Sequence, residues 1–286
     1  MNPVAPTIPQ PHDSVVRRFC YNGRMDWASR RRFIIFALVA AVALAFLAVV
    51  GIATLYKTPS CSDGKQNQGE AGVDCGGPCP YLCASEVSAA KVLFTRLVSN
   101  EAGRTDVIAS VENPNGGAAA KAVPYVLELY GGAGNALVRH VNGTIDLPPA
   151  ATVPVFVTGV SQGGQEVTSA FLTIGADAPK WYKTARDPRV LPVVTNTTLG
   201  GTVASPRIDA VLSNASVMPM NDVRAVVLVH SASHEDGGVS GDVIAASQTV
   251  VPLVPAQGQA TATFTWNGAF PETPATIEVV PIIPLP

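Results

Sequence analysis

The residue pattern predicts a mainly β protein, with two tandem immunoglobulin-like antiparallel β-sandwich domains following one N-terminal transmembrane helix. Three observations carry that expectation. A single uninterrupted apolar run sits near the N-terminus, the remaining chain alternates apolar and polar residues in short turn-bounded segments, and those segments recur at an offset of about 100 residues. Composition agrees: 25 glycines, 24 prolines and a charged content of 14% in 286 residues favour short strands joined by turns over long helices. The length suits two modules with accessory segments.

Residues 1–32 hold six of the 19 basic residues, Arg17, Arg18, Arg24, Arg30, Arg31 and Arg32, against two acids, Asp13 and Asp26. Four prolines and little periodicity make this stretch a disordered cytoplasmic tail, with Cys20 an unpaired, reduced thiol. From Phe33 to Leu55 no residue is charged. At ~1.5 Å per residue this run reaches about 34 Å, enough to cross a hydrocarbon core, so residues 33–56 are assigned to the membrane. Arg30, Arg31 and Arg32 abut its N-terminal side while only Lys57 follows closely, so the positive-inside bias keeps the N-terminus in the cytoplasm and exports the rest. A cleaved signal peptide has the same basic-then-apolar order. The run, however, exceeds the ~7–15 residues of a signal core, and Gly51–Lys57 offers a poor small-residue cleavage site. The expectation is a single-pass cell-membrane protein with an uncleaved anchor. Beyond residue 32 acids outnumber bases 19 to 13, which leaves no basic face for nucleic acid.

Residues 57–87 contain Cys61, Cys75, Cys79 and Cys83. Four cysteines in an exported, Gly-rich segment call for two disulfides in a turn-filled knot, and all three pairings are open. A zinc site of four thiolates is the rival, but the spacings differ from paired C-x2-C knuckles and the compartment is oxidising. Asp63, Asn67, Glu70 and Asp74 recur every three or four residues in the same loop and form a candidate calcium set, since hard cations take oxygen ligands. Their spacing is not that of an EF-hand.

The first module is expected over 88–189 and the second over 190–286, with a Pro-containing linker at 176–192. Asp106–Asn115 and Ala122–Tyr130 alternate as half-buried strands, and Arg207–Ser216 and Val223–His230 answer them. Ile145–Val157 parallels Val251–Trp266 as strand, Pro-containing turn and strand. Phe264 and Trp266 share one face and read as core aromatics. The alternative architecture is one larger sandwich or barrel.

The pattern C-x-D-G-x-x-N-x-G-E-x-G-V-D-C-G-G-x-C-x-x-x-C, Cys61 to Cys83, resembles a short cysteine-rich motif of secreted and cell-surface bacterial proteins. It is similar to that of uncharacterised envelope proteins of the candidate phyla Patescibacteria and Parcubacteria, where the motif follows one membrane helix and precedes sandwich domains. The resemblance implies location and architecture. Val111-Glu-Asn-Pro-Asn115, Leu127-Glu-Leu-Tyr130 and Leu147-Pro-Pro149 resemble the water-stress and hypersensitive-response (type 2 late-embryogenesis) domains, and Leu127–Gly131 is similar to the FxLYD pattern, with Leu for Phe and Gly for Asp. These families imply a sandwich without a catalytic site. The second module keeps only Asn214 of the Asn-Pro-Asn turn.

No H-E-x-x-H, P-loop or G-x-G-x-x-G motif occurs. The strongest polar constellation is His230-Ser-Ala-Ser-His234-Glu-Asp236, which in an extended strand would hold its histidines about 13 Å apart. Three N-x-S/T sequons stand at Asn142, Asn196 and Asn214. The expected function is that of a non-catalytic, membrane-anchored extracytoplasmic protein that binds other envelope proteins or serves them structurally. A surface adhesin or glycan-binding protein, using Trp181, Tyr182 and Trp266, is the alternative; an enzyme with an unrecognised site is the remote one.

Overall fold

The apolar run folds as helix α1, Trp27–Leu55, which starts upstream of Phe33 and takes in Arg30, Arg31 and Arg32. The Arg31 guanidinium lies 5.6 Å from the Trp27 ring, one helical turn away. None of its residues is buried, and a helix this apolar with no covered face needs an apolar surround. Its length and composition suit a membrane anchor, and its position near the N-terminus suits a signal sequence equally. The computed structural model describes residues 27–55, 60–101, 104–132, 134–161, 166–175, 179–232 and 241–286. Most of the expected cytoplasmic tail, with Cys20, lies outside these residues. A first compact unit ends at Thr58 and a second spans Pro59–Pro286.

The second unit is antiparallel β throughout its paired strands. Sandwich 1 contains β1 (Lys91–Glu101), β2 (Arg104–Glu112), β3 (Ala118–Gly131), β4 (Ala136–Leu147), β5 (Thr152–Ser161), β6 (Ser169–Ile174) and β7 (Trp181–Lys183). Sandwich 2 contains β8 (Val193–Thr202), β9 (Ser205–Ser213), β10 (Met220–His230), β11 (Val243–Val254), β12 (Gln259–Thr265) and β13 (Thr276–Ile282). One topology is used twice: the sheets run β1-β2-β5 and β4-β3-β6 in sandwich 1, β8-β9-β12 and β11-β10-β13 in sandwich 2. The sequence repeat is therefore a repeat of connectivity. Strand β7 falls inside the stretch expected to be linker. It pairs with Ala118–Ala120 of β3, next to where β6 ends, and so closes sandwich 1.

Each sandwich has its own core, Val107, Ala109, Leu127 and Leu147 among the first and Ile208, Ala210, Val227 and Phe264 among the second. A third core joins them. Phe94, Val98, Ile108 and Phe156 of the β1-β2-β5 sheet pack against Val226, Leu228, Ala246, Val280 and Ile282 of the β11-β10-β13 sheet. The expectation of half-buried strands therefore fails for β2 and β10. From Asp106 to Val111, and from Ala225 to His230, every residue is buried, because these strands have a core on each side. The unbroken apolar run Ala225-Val-Val-Leu-Val229 is what a strand buried on both faces requires. The salt bridge Arg96–Asp242, 3.3 Å, lies across the same junction.

Each sandwich is also stapled by one buried asparagine. Asn113 Nδ2 donates to the carbonyls of Ala118, Leu147 and Pro148, while its Oδ1 accepts from Asn115 N. Asn214 does the same with Met218, Val254, Pro255 and Ser216. The second strand's exit is thus tied to the turn entering the fifth, where Ala150 and Gln257 take φ of 47° and 49°. Only Asn is repeated because only Asn makes these bonds.

Two outcomes are expected. Replacing Leu228 by Glu, the residue at the matching place in sandwich 1, buries an unpaired carboxylate in the junction and costs about 3 kcal/mol; small-angle scattering should show a longer particle with circular dichroism retained. Asn214→Ala leaves three carbonyls without their donor and should lower stability by about 2 kcal/mol in urea unfolding.

Candidate functional site

Of the three possible pairings, the cysteines form Cys61–Cys79 and Cys75–Cys83, with Cα separations of 5.7 and 5.0 Å. The two bridges interleave along the chain, so the loop between Cys61 and Cys75 folds back on itself. Gly76 and Gly77 permit this. A Cβ on Gly77 would lie 2.1 Å from the Gly69 carbonyl oxygen, and both glycines have positive φ, 73° and 53°.

The four candidate calcium ligands meet in this loop, and the three carboxylates face N–H donors. Asp74 accepts from the backbone of Asp63 and Gly64, and Glu70 Oε2 from that of Asn67 and Asp74. Asp63 accepts from Lys65 N through Oδ1 and from Asn67 Nδ2 through Oδ2. That Asn67 bond is the main reason the Asp63 carboxyl is held below the ordinary Asp range. Asn67 Oδ1 is buried and has no partner among the described residues. Cys61, Glu70 and Cys79 bring sulfur and oxygen within 4.8 Å of one another. Both sulfurs are spent in one disulfide, so they offer no thiolate, and the 3.1 Å approach of Cys79 Sγ to Glu70 Oε1 is a close contact with a proton-free sulfur.

The knot is fastened to sandwich 1. Leu82 N donates to Trp181 O and Lys183 N to Pro80 O, and Ser88 exchanges two bonds with the Asn115 side chain. Lys183 Nζ reaches the Gly77 carbonyl. Residues 80–82 thereby flank β7 as a further extended segment, bridged at Tyr81–Tyr182.

A concave feature lies at the junction of the sandwiches. This cleft of about 380 Å³ is lined by Tyr125, Asp146 and Phe156 on one side and by Asp222, Arg224 and Gln248 on the other. Burial raises the Tyr125 phenol, and the Arg224 guanidinium opposes that shift. Asp146 is not free: it accepts from Ala122 N at 2.7 Å and from Leu285 N at 2.8 Å. Arg189 holds Asp187 through paired bonds, pulling that carboxyl down, and donates to Ile283 O. The C-terminal segment is thus strapped along the cleft, with Leu285 buried. Arg224 is exposed at the rim. Sequence periodicity could not have found this cleft, because its walls come from opposite halves of the repeat.

His230 is buried, with Nδ1 3.1 Å from Gly241 O and Nε2 3.7 Å from Glu278. His234, Glu235 and Asp236 lie outside the described residues. His140 stands 3.9 Å from Glu128 on the outer face of sandwich 1. On that face Tyr130 and the exposed Phe171 meet edge to face at 5.7 Å. Trp181 and Trp266 are core residues, so neither offers a surface platform, while Tyr182 is half-buried. Of the three sequons, Asn142 and Asn196 are exposed and Asn214 is the buried staple. No family model matches the chain, and no curated protein matches it significantly.

Because the knot carboxylates already accept N–H bonds, Asp74→Asn should lower the thermal midpoint of the β-rich unit by several degrees. Millimolar calcium should leave the wild-type midpoint where it is. A rise of several degrees with calcium, absent in Asp74→Asn, would instead assign these oxygens to a cation.

Proposed function

We propose that this chain is a membrane-anchored extracytoplasmic protein without catalytic function that binds another envelope protein as an accessory or structural component. α1 serves as an uncleaved single-pass anchor with a cytoplasmic N-terminus, and the knot and the immunoglobulin-like sandwiches lie outside. The observation that carries this reading is the third core. It makes two sandwiches into one stiff body and holds the cleft at their junction in fixed shape, which lowers the entropic cost of docking a partner there. Both disulfides fit an oxidising compartment. The groups with most chemical versatility are engaged in structure: Asp106, fully buried, accepts from Gly159 N, Glu70 braces the knot, and His230 bonds Gly241.

Glycan binding is the second reading. It is favoured by Tyr130 and Phe171, with Glu128 and His140 beside them, a set of surface groups different from the tryptophans that the sequence suggests.

The decisive experiment puts a photo-crosslinking residue at Gln248 in the full-length chain in its own cells. A defined envelope protein should be captured, and Arg224→Glu should reduce capture about tenfold. Recovery of no protein partner, together with retention of the chain on immobilised cell-wall glycans that Phe171→Ala abolishes, would replace protein binding by the second reading.

A further inference from the structure

We propose that β8 is a self-association edge, along which a second copy of this chain pairs antiparallel about a twofold axis at Leu199. The starting point is what the other edge strands carry. Lys91 and Arg96 stand on β1, Arg139 and His140 on β4, and prolines on β5 (Pro154), β11 (Pro252) and β13 (Pro281). Charge and proline keep exposed edges from pairing with other chains. β6 and β12 lack both but span only 6 and 7 residues. β8 runs for 10 residues, Val-Val-Thr-Asn-Thr-Thr-Leu-Gly-Gly-Thr, with neither charge nor proline, and among the described residues ladders with β9 alone.

The register identifies the groups left over. The hairpin closes at Thr202↔Ser205 around two turn residues, so Thr202 and, in steps of two, Gly200 and Thr198 direct N–H and C=O to β9. Pro206 opposite Gly201 fits, because that pair needs no N–H from it. Gly201, Leu199 and Thr197 therefore turn their backbone groups away from β9. Antiparallel pairing about Leu199 bonds Leu199 to its own copy and Thr197 to Gly201 on either side, continuing β12-β9-β8 into a six-stranded sheet.

The occupant follows from the same residues. In an antiparallel self-pair the residue on the axis meets its own copy, where a charge would face a like charge; β8 places the uncharged Leu199 there, and a strand without charges offers none by which to select a foreign strand. Leu199 is half exposed at 50% and lines an apolar groove with Val203 and Phe270. A second Leu199 covers it. Face-to-face association is closed to this sheet, because its outer surface carries Arg207, Asp209, Thr261, Thr263 and Thr265 in matched rows.

The test uses the full chain with Cys20→Ser, in membranes. Paired residues of this type sit ~5.5 Å apart at Cα, within disulfide reach, so Leu199→Cys should give a product of twice the mass under mild oxidation, and Thr263→Cys on β12 should not. Light scattering of the detergent-extracted protein should show a dimer. Leu199→Lys, at a half-exposed position on the rim of the second core, should weaken it by about tenfold or more with circular dichroism unchanged. A monomeric wild type, a Leu199→Cys product joined to a different protein, or a dimer indifferent to Leu199→Lys would each overturn the proposal.

Discussion

The apolar contact between the β1-β2-β5 and β11-β10-β13 sheets is the constraint to which the rest of the β-rich unit conforms. A sheet with one core can leave its other face to water, and its strands then alternate. A sheet with a core on each side cannot, and Ile108, Val226 and Leu228 stand where an outer strand face would carry polar residues. Four sheets stack as a consequence, and the cleft, the strapped C-terminal segment and the Arg96–Asp242 bridge all sit along the seam this contact creates.

Within each sandwich the corresponding device is polar. Asn113 and Asn214 are almost fully buried, and each satisfies three carbonyls that the turns would otherwise leave without donors. A buried polar group is tolerable only when its bonds are complete, and complete ones fix a single geometry. The surrounding sequence differs between the two copies, Asn-Pro-Asn in one and Asn-Ala-Ser in the other, without loss of the staple. Ser216 N takes the place of Asn115 N as donor to the asparagine oxygen. The Asn115 side chain has a second task in sandwich 1, bonding Ser88 beside the knot, and sandwich 2 has no knot to hold.

Much of this is legible in the sequence, for physical reasons. The helix, the strand alternation in β3 and β9, the core placement of Phe264 and Trp266, and the repeat all follow from periodicities that one chain segment expresses alone. What escapes such a reading depends on pairs of distant segments. β2 and β10 look half-buried in sequence because Ile108 and Leu228 gain their second core only when the sandwiches meet. β7 is hidden in a proline-bearing stretch, three residues long and recognisable only by its partner, Ala118–Ala120. The disulfide pairing has three solutions in sequence and one in space. In the knot, spacing brings Asp63, Asn67, Glu70 and Asp74 to notice, but spacing says nothing of which way an oxygen points, and here the carboxylates point to N–H groups.

The repeat also explains why the stack stops at four sheets. The contact is heterologous: the β1-β2-β5 face of one sandwich meets the β11-β10-β13 face of the next, and such a contact can in principle be extended without end. Matching positions show how extension is blocked. Ile108, cross-strand from Phe156, corresponds to Asp209, cross-strand from Thr263, and Thr263 donates to Asp209 at 2.6 Å. At the other end Leu228, beside Ala246, corresponds to Glu128, beside His140. Polar outer faces cap repeat arrays in this way. The faces are thus apolar where they meet and polar where they end, so further association is left to the sheet edges and to the cleft. Those are the places where the paired sandwiches can gain a partner without exposing a core.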